Sequence, residues 1–196
     1  MRRVYLIRHG TTAANEERLY YGATDVSLSE KGIAELRELY EEGGYPDVKA
    51  CTVFTSGMVR TKETLDILFP NTEFQIEPDF REMDFGKFEK RSYEELKDDP
   101  EYQEWITGDY MANVCPEGES GNNQCERAVR AFWRVLERTK GDVLIISHSG
   151  TVIGIMQSLF PDEGENRWYW QCCGGCGYAV EMDGEKAVSY VKIPKI

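Results

Sequence analysis

The chain is poor in histidine and in positive charge, and it lacks any long apolar run. Histidine occurs at only two of its 196 positions, 9 and 148, so none is to spare for a metal centre elsewhere. Lysine and arginine number 23 against 35 aspartates and glutamates, a formal net charge of −12. So acidic a chain repels a nucleic-acid backbone or an anionic membrane surface, and neither is expected as a partner. Any anion site must therefore be a local cluster of cations. No stretch approaches the roughly 20 apolar residues that span a bilayer. The opening Met1-Arg2-Arg3, followed by a handful of apolar residues, is too short for a secretory signal peptide, and the expected compartment is the cytoplasm. Repeats and low-complexity segments are absent. Six cysteines, at 51, 115, 125, 172, 173 and 176, follow no regular framework and are expected as reduced thiols, several of them core residues.

What is present centres on the two histidines. Val4-Tyr5-Leu6-Ile7 leads into Arg8-His9-Gly10-Thr11, and Val143-Leu144-Ile145-Ile146 leads into Ser147-His148-Ser149-Gly150. A short apolar run that ends in small residues before a helical pattern is the mark of a strand buried on both faces of a parallel sheet. In open α/β sheets ligands bind beyond the carboxyl ends of such strands. Two imidazoles there, one beside an arginine, point to an anion, with phosphate the first choice, and to nucleophilic or acid–base chemistry.

The rest of the chain fits around that pattern. Residues 2–7 form a strand, and Ser29 caps a helix whose Ile33, Leu36 and Tyr40 recur at helical spacing until Gly43-Gly44. Cys51 to Thr55 is a second strand, Ser56 caps a helix carrying Arg60, Thr64 and Leu68, and a third strand lies around Phe74 and Ile76. Residues 84–120 scatter aromatics among charges, with a capping-box match at Ser92 to Glu95, and read as an excursion of short helices forming a lid. Cys125, Ala128, Val129, Phe132, Val135 and Leu136 mark one face of a long helix. A helix through Ile153, Met156 and Leu159 follows His148, and Asp183-Gly184 joins the final two strands as a hairpin. The expected fold is a single α/β domain over residues 1–196: a three-layer α/β/α sandwich on a mostly parallel sheet with an antiparallel C-terminal pair.

Several short motifs recur in a fixed order. Arg8-His9-Gly10 is followed by Asn15, then by Gly22 to Gly32, which resembles G-x-x-D-x-P-L-[ST]-x-x-G. Thr55 to Thr64 resembles S-S-P-x-x-R-[AT]-x-x-T, Phe80 to Gly86 resembles L-R-E-x-x-x-G, Gly118-Glu119-Ser120 matches G-E-S, and Ser147-His148 matches S-H-G. Together these resemble the histidine phosphatase superfamily, the phosphoglycerate mutase-like family, along about three quarters of the chain. The resemblance implies His9 as nucleophile forming a phosphohistidine, and Glu82 as the acid that protonates the leaving alkoxide and then activates water. It implies Arg8, Arg60, Asn15, His148 and Ser149 around the phosphoryl group, with no metal and no cofactor.

Elementary chemistry asks for the same groups. Phosphoryl transfer spreads negative charge over the equatorial oxygens, so several fixed donors must surround one phosphorus. Arg8 and Arg60 supply planar forks, His148 a charged donor if protonated, and Asn15 a neutral amide. A carboxyl facing a dianionic phosphate holds its proton more tightly, which suits an acid.

Plainer readings stand beside these. A lone histidine at a strand end is more often structural, Asn15 can merely shape a turn, and Thr11 and Ser56 serve equally as helix caps or phosphate ligands. Cys172-Cys173-Gly174-Gly175-Cys176 invites a redox or zinc reading, against which a packed loop leading into the last strands is expected. Lys87, Lys90 and Arg91 form a solvated face or meet a second acidic group of the substrate. The chain also departs from the family pattern: Ser149 replaces a glycine, Gly57 a proline, Phe88 a tryptophan, and Lys90 and Glu117 glycines. The expected activity is hydrolysis of a small phosphorylated metabolite. The alternatives are mutase-type transfer, α-ribazole phosphatase as the specific activity, and, from another class, a non-catalytic phospholigand-binding module.

Overall fold

The structure, a computed structural model, describes residues 1–164 and 166–195. A six-stranded sheet carries strand order β3-β2-β4-β1-β5-β6, with β1 at Arg2–Arg8, β2 at Thr52–Thr55, β3 at Gln75–Ile76, β4 at Val143–Ser147, β5 at Gly177–Asp183 and β6 at Lys186–Ile193. The first four in that order run parallel, and β5 is antiparallel to both β1 and β6. The α/β/α expectation holds, and its reason lies in the strands. Val4, Leu6, Phe54, Val143 and Ile145 face one core, whereas Tyr5, Ile7, Val53, Leu144 and Ile146 face the other. Each fully buried Ile or Leu contributes on the order of 2–3 kcal/mol.

The first face is covered by α6 (Gly121–Arg138) and α7 (Ser149–Leu159) through Phe132, Val135, Ile153 and Met156. The second is covered by α2 (Glu30–Glu42) and α3 (Val59–Leu68) through Leu36, Leu65 and Leu68. Ser29 caps α2 as expected, accepting from the Gly32 amide at 3.0 Å. Tyr40 does not join that core: it is exposed, because Leu36 and Ile33 already fill the contact face and Tyr40 lies past its edge. Along α6, Cys125 and Val129 are only partly buried, and Gln124 and Ala131 take up inner positions instead. The hairpin turn is Gly184-Glu185, one residue later than the Asp183-Gly184 signal, since Asp183 still pairs with Lys186. Gly184 at φ +62° occupies its first central position.

Between β3 and α6 the chain leaves the sheet. A 3-10 turn at Pro78–Phe80 is followed by another at Gly86–Phe88 and by the short helices α4 (Tyr93–Leu96) and α5 (Pro100–Ile106). The Ser92–Glu95 capping box forms. Met83, Phe88, Leu96, Tyr102, Trp105 and Cys115 build a third, smaller core, against which Tyr20 and Phe85 pack. Backbone bonds from Tyr20 to the Arg91 carbonyl and from Lys90 to the Tyr20 carbonyl tie this excursion to the segment after the short helix α1 (Ala13–Glu16). Among the described residues, no helix is long and apolar enough to cross a membrane.

Candidate active site

β1 and β4 are neighbours whose register pairs Arg8 with Ser147. His9 and His148 therefore leave the sheet side by side, with the His9 amide donating to the Ser147 carbonyl at 2.9 Å. Their ring centroids lie 5.1 Å apart, edge to face, and both rings are buried. Thr64 on α3 accepts from the Gly10 amide at 2.9 Å, which anchors the loop after β1.

Hydrogen bonds define which nitrogen carries each proton. His9 Nδ1 lies 2.7 Å from the Gly10 carbonyl, which can only accept, so the hydrogen sits on Nδ1. Nε2 is left as a lone-pair nitrogen on a residue that lines the cavity. His148 Nδ1 accepts from Arg60 Nε at 3.3 Å, so its hydrogen is on Nε2 and is donated to Ser56 Oγ at 2.8 Å. Burial first, and then the Arg60 charge, hold both imidazoles well below the ordinary 6.5. His148 is thus a neutral acceptor toward Arg60 here, and the protonated state in which it would act as a charged donor is disfavoured by burial and by Arg60.

The guanidinium of Arg60 is fully buried. Besides its bond to His148 it donates to the carbonyls of Thr24 at 3.0 Å and Gly22 at 2.9 Å, and it lies 5.0 Å from the centroid of the Tyr21 ring. Arg8 donates through Nη1 to the Cys172 carbonyl at 2.8 Å, and its buried Nε has no partner among the described residues. Among the described residues neither guanidinium enters an ion pair, unlike Arg91, Arg127 and Arg134. Two cations without an anion are what a phosphate site requires.

Glu82 completes the ring. Its Oε2 accepts from the Gly150 amide at 3.0 Å, at the N-terminus of α7, and its Oε1 from the Met83 amide at 3.0 Å. A Cβ at Gly150 would collide with this carboxylate, so glycine there permits the approach. The segment carrying Glu82 is clamped by Arg127, which donates to the carbonyls of Asp79, Arg81 and Glu82 at 2.7, 3.1 and 3.3 Å and pairs with Glu119 at 2.5 Å. Gln124 and Thr151 support the same segment from α6 and α7, at 3.0 Å from each other, with Thr151 donating to the Phe80 carbonyl at 3.2 Å.

Arg8, His9, Asn15, Arg60, Glu82 and Ser149 line one cavity of about 170 Å³, closed on its apolar side by Leu19, Tyr20 and Phe85. That is roughly six times the liquid volume of a water molecule, enough for a phosphoryl group. Larger hollows of about 470 and 500 Å³ lie elsewhere and contain neither histidine. The Asn15 side chain shapes a turn, and the residue also lines the cavity. Its Oδ1 accepts from Tyr21 at 2.7 Å and from the Thr12 amide at 3.1 Å, shaping the turn, while the residue faces the cavity.

Other assignments change. Thr12, not Thr11, caps α1, and the Thr11 hydroxyl turns away to Glu35 at 2.7 Å. Met58 occupies the N-cap of α3, because Ser56 is drawn to His148 instead. Lys87 and Arg91 pair with Glu101 at 3.0 Å and Asp99 at 3.3 Å on the surface, so they form a solvated face. Lys90 and Glu117, where the family pattern has glycine, keep the left-handed backbone glycine would favour, at φ +64° and +61°. Gly57 at φ +86° follows a path closed to the proline of that pattern.

Tyr21, Glu89, Gln124 and Arg127 were not foreseen in the sequence, and Ser56 was expected as a cap or phosphate ligand rather than as the partner of His148. Gln124 had a usable signal, a polar side chain four residues before Ala128 on the apolar stripe of α6. Glu89, whose carboxylate accepts from the Gly22, Ala23 and Thr24 amides at 2.8, 3.0 and 3.1 Å, gave none.

The model of the histidine phosphatase superfamily (branch 1) matches residues 4–191, and the chain belongs to that family. It is 28% identical over 188 residues to the adenosylcobalamin/α-ribazole phosphatase of Escherichia coli strain K12, covering 92% of this chain and 90% of that one. It is 31% identical over 215 aligned positions to a probable phosphoglycerate mutase GpmB of Salmonella typhi, covering 100% and 98%. In structure it is similar to a putative α-ribazole-5′-P phosphatase from Escherichia coli, with a TM-score of 0.84 at 26% identity over 95% of this chain and 93% of that chain.

Proposed function

We propose that the protein is a metal-independent phosphatase that hydrolyses small phosphomonoesters through a phosphohistidine at His9. One observation carries this reading: His9, whose Nε2 keeps its lone pair, lines one cavity with Arg8 and Arg60, and among the described residues neither guanidinium enters an ion pair. Arg8, Arg60 and the Asn15 amide hold the phosphoryl oxygens, and His148 orients Arg60. His9 Nε2 attacks phosphorus, the bond to the ester oxygen breaks, and that oxygen takes the Glu82 proton. In the second half Glu82 removes a proton from water, the water oxygen attacks phosphorus and the N–P bond breaks. Inorganic phosphate leaves and His9 is restored.

Hydrolysis is favoured over mutase-type return of the phosphoryl group because, among the described residues, Arg8 and Arg60 are the only cations lining the cavity and both serve the phosphoryl group. The remaining wall of Leu19, Tyr20 and Phe85 suits an apolar or ring-bearing leaving group rather than the carboxylate of a sugar acid. α-Ribazole phosphate, in view of the relatives' names, is the first substrate to assay. The test is release of inorganic phosphate from p-nitrophenyl phosphate and from alkyl phosphates in the presence of chelator. Glu82→Ala is expected to lose more rate with the alkyl esters, whose leaving groups need a proton. Equal losses on both would remove Glu82 as the acid. Phosphate binding without turnover would favour the non-catalytic module.

A further inference from the structure

The stretch Cys172 to Cys176 lies directly behind the loop that carries Arg8. The Gly175 amide donates to the Arg8 carbonyl at 2.9 Å, the Arg8 amide donates to the Cys176 carbonyl at 3.0 Å, and Arg8 Nη1 donates to the Cys172 carbonyl at 2.8 Å. Within the stretch, the Cys176 amide donates to the Cys173 carbonyl at 3.1 Å, with Gly175 at φ +78°. That is a type II turn, which brings the first and fourth Cα atoms within about 7 Å, close to the span a disulfide bridges.

All three cysteines are free thiols, with Cys173 exposed and Cys176 partly buried. Burial, followed by the charge of Cys173 and a hydrogen bond with its thiol, pushes the Cys176 thiol up to about 11. Cys172 differs: its Sγ rests on the Cys176 carbonyl at 3.4 Å, and burial pushes its thiol up to about 12. Among the described residues no group of three or more His, Cys, Asp or Glu side chains is arranged to hold a metal ion. An exposed cysteine three residues before a shielded one is instead the layout of an attacking and a resolving thiol.

The turn also has no slack. A Cβ at Gly174 would come within 3.0 Å of Gly10 Cα, and one at Gly175 within 2.6 Å of Leu36 Cδ2. With both glycines of the turn packed, any backbone shift made in drawing the two sulfurs together to about 2.05 Å passes to the flanks of the turn, which are the partners of Arg8.

We propose that Cys173 and Cys176 form a reversible disulfide by exchange with a small-molecule disulfide, and that this bond displaces Arg8 and weakens phosphate binding. The Cys173 thiolate attacks one sulfur of the small disulfide, forming a mixed disulfide and releasing one thiolate. The Cys176 thiol then loses its proton to solvent and attacks Cys173 Sγ, releasing the second small thiol. The protein dithiol is oxidised by two electrons and the small disulfide is reduced to two thiols. Only the turnover arm of the test rests on the phosphatase reading.

The full chain is treated with excess oxidised glutathione, mapped as peptides without reduction, and assayed for inorganic phosphate affinity by calorimetry and for kcat/KM. A 173–176 bridge is expected, with phosphate affinity and kcat/KM both down at least about tenfold and restored by dithiothreitol. Cys173→Ser is expected to match the reduced protein and to keep its activity in oxidant. A bridge between Cys172 and Cys173, no bridge, or a 173–176 bridge with phosphate affinity unchanged would overturn the proposal. Because phosphate affinity is read separately, a protein that binds phosphate without hydrolysing it still decides the matter.

Discussion

The arginines of this protein fall into two kinds. Arg134 and Arg138, on the outer turns of α6, meet Glu77 at 2.8 and 3.2 Å, and Arg134 also meets Asp79 at 2.8 Å. Arg60, fully buried, meets two carbonyls and a neutral imidazole. In a chain with 35 acidic side chains, carboxylates such as Glu82 act on Arg60, among the described residues, without pairing directly with it. A buried cation without its counter-ion costs stability, and the return is an anion site already charged before the ligand arrives. Structural arginines here spend their charge on the protein, while the arginine at the cavity keeps it.

The largest break of that contrast is Arg60→Met. We expect kcat/KM to fall by about 10²–10³ while the urea midpoint falls only modestly, because removing a buried charge offsets part of the cost of leaving the Gly22 and Thr24 carbonyls and His148 Nδ1 without their donor. Retained activity, or a collapse of stability, would place Arg60 with the structural arginines.

The same cation helps keep His9 and His148 neutral. Their folded values lie below 6.5, so below that pH the unfolded chain binds protons that the native state refuses. Stability is then full above 6.5 and declines as pH falls, by about 1.4 kcal/mol per pH unit for each imidazole. Denaturation between pH 7 and 5.5 should show this slope, reduced by inorganic phosphate. A flat profile would mean that the rings titrate normally.

Arg127 stands between the two kinds, paired with Glu119 yet holding the Glu82 backbone. Arg127→Ala should lower kcat about tenfold with little change in KM. Arg134→Ala, partly exposed, should leave kinetics alone and cost at most about 1 kcal/mol. The smallest effect comes from the excursion: Lys90→Gly and Glu117→Gly should each stabilise by about 0.5–1 kcal/mol, since both positions already adopt the backbone glycine prefers. A loss in thermal melts would show that these side chains offset that strain.

The contrast also explains what the sequence made legible. The sheet was readable because burial on both faces leaves an unbroken apolar run before each histidine, and parallel pairing of two such runs sets the rings side by side. Arg8, Arg60 and Glu82 were readable as motif. The roles of Ser56 and Thr11 were not, since both obey a local capping rule that a partner distant in sequence, His148 or Glu35, overrides. The neutral state of His148 was hidden for the same reason: it depends on burial and on Arg60, 88 residues away. Tyr40 misled because helical periodicity specifies a face but not its width.

The most direct measurement follows phosphorus. A turnover mixture with a phosphate ester labelled in its phosphoryl group is quenched in alkaline denaturant and mapped by peptide. The label is expected on His9, and neither label nor turnover is expected in His9→Ala. Label on another residue, or turnover surviving in that variant, would contradict the account.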